Sequence, residues 1–145
     1  MNKLNPILLV EDDPNDVELI LTALNRNRIY NEVMVVEDGV AALDYLLLRG
    51  QYADRPPGNP ILVLLDLNIP KLNGLEVLRQ IKAEDSLKGF PIVILTASRE
   101  EESLARSYQL GVSAYVVKPL DFNDFSAVVR EVGLFWTIIN EVPKD

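Results

Sequence analysis

Five short apolar runs punctuate the chain, at Ile7–Val10, Val33–Val36, Ile61–Leu65, Ile92–Leu95 and Ala114–Val117. Each is rich in Val, Ile or Leu with little polar alternation, the pattern of parallel strands covered on both faces. The stretches between them are amphipathic and carry helix-start signals. Asp13-Pro14-Asn15-Asp16 offers an N-cap and a proline at the first helical position, followed by Val17, Ile20, Leu21 and Leu24 on one face. Asn73-Gly74 opens a third helix with Leu75, Leu78 and Ile81 as its apolar stripe. Ser98-Arg99-Glu100-Glu101 reads as a capping box for a fourth, and Asp121 caps a fifth that runs towards Asn140. Gly50 to Pro60, with Pro56, Pro57 and Pro60, reads as a surface loop.

Strict alternation of strand and helix implies an α/β fold: an open, doubly wound parallel sheet with right-handed crossovers. With five strands the expected order is 2-1-3-4-5, the flavodoxin-like arrangement, whose crevice lies at the carboxyl ends of strands 1 and 3. At 145 residues the chain is expected to form a single domain, with residues 5–140 as its core and no output domain. The 48% apolar fraction excludes disorder, and no apolar stretch approaches the roughly 20 residues of a membrane span. The N-terminus lacks the apolar region of a signal peptide, and with no cysteine a cytoplasmic location is expected. The absence of both Cys and His removes the common zinc sites and any Cys–His or Ser–His catalytic pair. A net charge of −8 argues against direct nucleic-acid binding and is consistent with an acidic, cation-binding cleft.

The candidate chemistry lies at the strand ends. Asp66 closes the run Ile61-Leu62-Val63-Leu64-Leu65, where an ionised side chain is tolerated only if it is paired or binds a metal. Glu11 and Asp12 follow strand 1, while Asp13 is taken up as the helix cap. Three carboxylates in a small space raise one another's pKa unless a cation is present. Mg²⁺ is the natural choice, a hard ion bound by one or two carboxylates plus phosphate and water; no EF-hand spacing favours Ca²⁺. Thr96 ends strand 4, and Lys118-Pro119 ends strand 5. A strand-end Thr or Lys alone is usually structural, but a lysine beside three carboxylates becomes a counter-ion and a phosphate binder.

Glu11-Asp12, Asp66, Thr96 and Lys118-Pro119 together resemble the receiver domain of two-component response regulators. Asp66 precedes Thr96 by 30 residues, Lys118 lies 22 further on, and Tyr115, 19 after Thr96, falls on the family's switch aromatic. The resemblance covers Ile7 to about Trp136. It implies that Asp66 accepts a phosphoryl group from a phosphohistidine on a partner histidine kinase. It further implies Mg²⁺ held by Asp12, Asp66 and the main-chain carbonyl of Asn68, with Glu11 acting through the metal's water. Lys118, the Thr96 hydroxyl and the Ala97 N–H would meet the phosphoryl oxygens. Phosphorylation would draw Thr96 inward and let Tyr115 rotate, altering helix 4, strand 5 and helix 5. Helix 4 should be labile, with only Leu104, Ala105, Tyr108 and Leu110 to bury. Asn68 and Ser98 stand where the family tunes phosphate lifetime. With no histidine, the donor must be another protein or a small acyl phosphate.

Phe122, Phe125, Val129, Val132, Trp136 and Ile139 form one helical stripe, with Val128, Leu134, Phe135 and Ile138 off it. The tail either folds back on its own domain or supplies a pairing surface. The resemblance favours the latter, a homodimer through helix 4, strand 5, helix 5 and the C-terminal helix. The Gly50–Pro60 loop, Leu65-Asp66-Leu67-Asn68-Ile69-Pro70 and the Phe135-Trp136 ending resemble the stand-alone regulators paired with bacterial phytochrome kinases. Rival readings remain. A phosphohydrolase of the haloacid dehalogenase type needs a second acid where Asn68 stands, and lacking it loses roughly 10²–10⁴-fold. An FMN carrier would find its phosphate repelled by Glu11-Asp12-Asp13. A receiver-like binding module that never takes phosphate is the third. The receiver resemblance instead implies a switch that catalyses only its own phosphoryl transfer and autodephosphorylation.

Overall fold

A computed structural model describes residues 5–140, with side chains as far as Val132. In chain order the elements are β1 (Ile7–Val10), α1 (Pro14–Arg26), β2 (Val33–Val36), α2 (Gly39–Leu46), a 3₁₀ turn (Gly50–Tyr52), β3 (Leu62–Asp66), α3 (Gly74–Ala83), β4 (Ile92–Thr96), α4 (Arg99–Ser107), β5 (Ala114–Val117) and α5 (Phe122–Asn140). The five strands form one parallel sheet in the order β2-β1-β3-β4-β5. This is the expected doubly wound, flavodoxin-like receiver fold.

Successive strand residues point to opposite faces, which divides the core into two layers. Leu8, Val10, Val63, Leu65, Ile92 and Ile94 pack under α2 and α3. Ile7, Leu9, Leu62, Leu64, Val93 and Leu95 pack under α1 and α5, against Ile20, Leu24, Phe125 and Val129. The expected caps form. Asp13 accepts from the Asn15 N–H at 2.8 Å, Asn73 from Glu76 at 2.9 Å and Asp121 from Asp124 at 2.9 Å.

Four expectations are adjusted. The third strand starts at Leu62 and includes Asp66, whose register partner is Leu95; likewise Thr96 is the last residue of β4, opposite Val117. The stripe of α3 is Val77, Leu78 and Ile81, with Leu75 only partly buried. A Cβ on Gly74 would lie 2.5 Å from both the Asp66 carbonyl oxygen and the Leu67 Cα, so the missing side chain lets α3 begin against the end of β3. The Gly50–Pro60 connection is more than a surface loop. Tyr52 meets Tyr45 edge-on at 5.3 Å, and the Arg55 guanidinium lies 4.1 Å from the Tyr45 ring centre. Finally, α4 buries only Ala105: Leu104 is 55% and Tyr108 42% exposed. Its charged residues other than Glu101 face solvent or one another, and guanidinium contacts take up its flanks, with Arg79 over Tyr108 and Arg106 over Tyr115. The C-terminal residues Leu134, Phe135, Trp136, Ile138 and Ile139 lie outside the described side chains.

Candidate functional site

The register that builds the sheet also builds the crevice. Val10 pairs with Leu65 and Asp66 with Leu95, so Glu11 emerges beside Asp66. The backbone ladder continues past the strands: Glu11 N–H donates to Val36 O at 3.0 Å, Leu67 N–H to Leu95 O at 3.0 Å and Lys118 N–H to Thr96 O at 2.7 Å. Alternation then sorts the side chains. Ile7, Leu9 and Glu11 share a face with Leu62, Leu64 and Asp66, and with Val116 and Lys118. Thr96 follows Ile92 and Ile94 onto the other face. The crevice therefore has two corners.

At the first corner Lys118 Nζ lies 2.8 Å from Asp66 Oδ2, 2.8 Å from Glu11 Oε1 and 2.9 Å from Asp16 Oδ2. Asp66 is 2% exposed and Glu11 fully buried. The Asn68 N–H donates to Asp66 Oδ1 at 2.9 Å, and the Asp13 N–H to Glu11 Oε2 at 3.1 Å. The ammonium stands near Glu11 Oε1 but off the direction of a hydrogen bond, leaving that oxygen without an aligned donor. Burial raises the Glu11 carboxyl to about 7; Lys118 works against the rise and Asp66 with it. For Lys118, burial opposes the charge, but the carboxylates of Asp66, Glu11 and Asp16 around it outweigh that and hold the ammonium above the usual lysine range.

One lysine against so many carboxylates leaves the corner negative. Glu11, Asp12 and Asp66 each offer an oxygen, all within 4.8 Å of one another, and Asp12 is exposed to solvent. That donor set, hard oxygens with one lacking a donor and one open to water, fits a divalent cation of the Mg²⁺ or Mn²⁺ kind.

At the second corner three donors converge on a single oxygen, Glu101 Oε1: the Thr96 hydroxyl at 2.5 Å, the Ala97 N–H at 2.8 Å and the Asn68 side-chain amide at 3.0 Å. Here the capping-box expectation is only half met. Ser98 Oγ does accept from the Glu101 N–H at 3.1 Å. The Glu101 carboxylate, however, reaches past the cap residue into the crevice, because Thr96 and Asn68 offer it two further donors. Tyr115 is half-buried beneath the Arg106 guanidinium, 4.2 Å from its ring centre.

The structure thus brings together Glu11, Asp12, Asp66, Asn68, Thr96, Ala97 and Lys118, with Tyr115 two register positions before the pair Thr96–Val117. Sequence reasoning missed Asp16 and Glu101. Asp16 carries the signal of an acid in a helix first turn, and Glu101 that of a capping residue, and each signal hid a second use.

Fold and crevice together define a receiver domain. The chain matches the response regulator receiver domain over residues 7–130 and belongs to that family. It is 40% identical over 130 residues to the response regulator Rcp1 of Synechocystis sp., covering 90% of this chain and 87% of Rcp1. A solved Mn²⁺-bound form of Rcp1 superposes with a TM-score of 0.76 at 38% identity, covering 97% and 99% of the two chains. The bacteriophytochrome response regulator RtBRR gives a TM-score of 0.85 at 53% identity, with 97% and 84% covered. The phosphorylated cyanobacterial phytochrome response regulator RcpA gives 0.78 at 38%, with 97% and 99% covered. RtBRR and RcpA are phytochrome response regulators, the subfamily that the loop and C-terminal residues suggested. Among the described residues no helix is long and apolar enough to cross a membrane.

Proposed function

We propose that this protein is a phosphorylation switch, loaded on Asp66 by a histidine kinase of the phytochrome type and read by protein contact. The observation that carries this reading is the pairing of a buried, strand-end Asp66 with Lys118 at 2.8 Å beside the carboxylates of Glu11 and Asp12. An Asp66 oxygen attacks the phosphorus of a phosphohistidine. The new P–O bond forms as the P–N bond breaks, and the imidazole leaves with the bonding pair. With a small acyl phosphate the bond broken is P–O and the carboxylate departs. Lys118 balances the charge gathering on the phosphoryl oxygens and keeps Asp66 oriented. The Thr96 hydroxyl and the Ala97 N–H donate to those oxygens. Asp12, Asp66 and the Asn68 carbonyl would hold Mg²⁺, with Glu11 beside them, and the ion would supply positive charge at the phosphoryl group. Rcp1 has been solved with Mn²⁺ and RcpA in phosphorylated form, which supports carrying both features over.

The chain acts only on itself, in accepting the group and later losing it to water. The readout passes through Thr96 and Tyr115 to α4, β5 and α5, the faces through which a second copy would pair. The test is incubation of wild type and Asp66→Asn with Mg²⁺ and acetyl phosphate, followed by intact mass and gel filtration. Wild type should gain one phosphoryl mass and Asp66→Asn none. A folded wild type that stays unmodified ends the proposal, while mass gain with no change in size removes only phosphorylation-driven pairing.

A further inference from the structure

We infer that Glu101 occupies the seat of a phosphoryl oxygen while Asp66 is unmodified, and that loading Asp66 requires its carboxylate to be expelled. The inference rests on the reading above and deepens it. Glu101 Oε1 receives the Thr96 hydroxyl at 2.5 Å and the Ala97 N–H at 2.8 Å, the same two donors assigned to the phosphoryl group, and the Asn68 amide at 3.0 Å. A carboxylate oxygen and a phosphoryl oxygen are chemically alike here, being anionic and acceptor-only. Both cannot use the same donors, and the roughly −2 charge of a phosphoryl group repels Glu101 from them.

No cation of α4 holds Glu101 where it is. Arg99 and Arg106 are both turned to Glu102, at 3.9 and 2.6 Å. Glu101 lies in the first turn of α4, a helix that buries only Ala105. Its carboxylate is therefore a main tether of that helix to the crevice. Expelling it detaches the start of α4, so the chemical event and the movement of the readout helix become one step.

The test compares wild type, Glu101→Ala, Glu101→Gln and the control Glu100→Ala, all shown folded by circular dichroism. Glu100 is an exposed neighbour of the same charge, so its variant separates a general charge effect from the seat itself. Two quantities are read: the initial rate of phosphoryl mass gain from acetyl phosphate with Mg²⁺, and the affinity for beryllium trifluoride with Mg²⁺. Glu101→Ala should raise both about tenfold, the scale of one charge-assisted hydrogen-bond set. Glu101→Gln, which keeps shape and loses charge, should fall between, and Glu100→Ala should stay within about twofold. Hydrogen exchange of the α4 amides in unmodified Glu101→Ala should approach that of wild type loaded with beryllium trifluoride. A wild type that gains mass no more slowly than Glu101→Ala, or a Glu100→Ala as fast as Glu101→Ala, overturns the seat and leaves the function standing. If no variant gains mass or binds beryllium trifluoride, the function falls and the seat with it.

Discussion

Two carboxylates share this crevice and are held in opposite ways. Asp66 ends a fully buried strand, 2% exposed, and faces a cation. Glu101 projects from a mostly exposed helix and faces only hydrogen-bond donors. The difference separates frame from occupant. Lys118 is the cation that Glu11, Asp16 and Asp66 share, so removing it leaves their charge uncompensated. Glu101 is bound by dipoles that water or another anion can satisfy equally well, so removing it costs little.

The largest test of that contrast is Lys118→Ala, which leaves buried carboxylates without their cation. In chelator at pH 7.5 it should lower unfolding free energy by about 3–5 kcal/mol, whereas Glu101→Ala should cost no more than about 1 kcal/mol. Urea titration of both decides the matter, and equal losses would break the comparison.

The next effect is one of pH. The Glu11 carboxyl is raised by burial to about 7, from 4.5 in the absence of structure. Between those values the folded chain binds more protons than the unfolded one, so stability falls as pH rises through this window. In metal-free protein the decline between pH 5 and 8 should be roughly 2–3 kcal/mol, and Glu11→Gln should flatten it. Added Mg²⁺ should recover more stability at pH 8 than at pH 5.

A steric test follows in size. In Gly74→Ala the new Cβ meets the Asp66 carbonyl at 2.5 Å, forcing α3 off the end of β3. A loss of about 1–3 kcal/mol is expected, together with slower phosphoryl acceptance, since Asn68 lies on the displaced turn. The smallest effect belongs to α4. Leu104→Ala, at a position 55% exposed, should change stability by no more than about 0.5 kcal/mol. A larger loss in thermal melts would mean that α4 is anchored more firmly than its single buried alanine implies.

How much of this could be read from the chain depended on how local each signal was. The strand runs, the caps at Asp13, Asn73 and Asp121, and the convergence of Asp66 with Lys118 follow from short-range pattern plus the topology that pattern dictates. Asp16 and Glu101 did not yield to the same reasoning. Each has a sound local role, an acid in the first turn of α1 and a third helical residue after Ser98, and local propensity stops there. Their second partners come from Lys118, just past β5, in one case and from the end of β4 and the turn after β3 in the other, fixed only once the sheet closes. The exposure of Leu104 and Tyr108 was similarly hidden, because an apolar residue on a helix predicts burial only if something packs over it.

Asn68 carries a consequence beyond the site itself. Its main chain steadies Asp66 through an N–H at 2.9 Å, while its side chain reaches Glu101 at 3.0 Å. The first contact survives almost any substitution, since every residue but proline has that N–H. The second vanishes with most substitutions. If Asp66 is loaded as proposed, selection can retune how readily the signal starts, and leave the receiving carboxylate unchanged, by altering one solvent-facing side chain. A lineage that kept its kinase but faced a different rhythm of stimulus would have this position available as a clock adjustment.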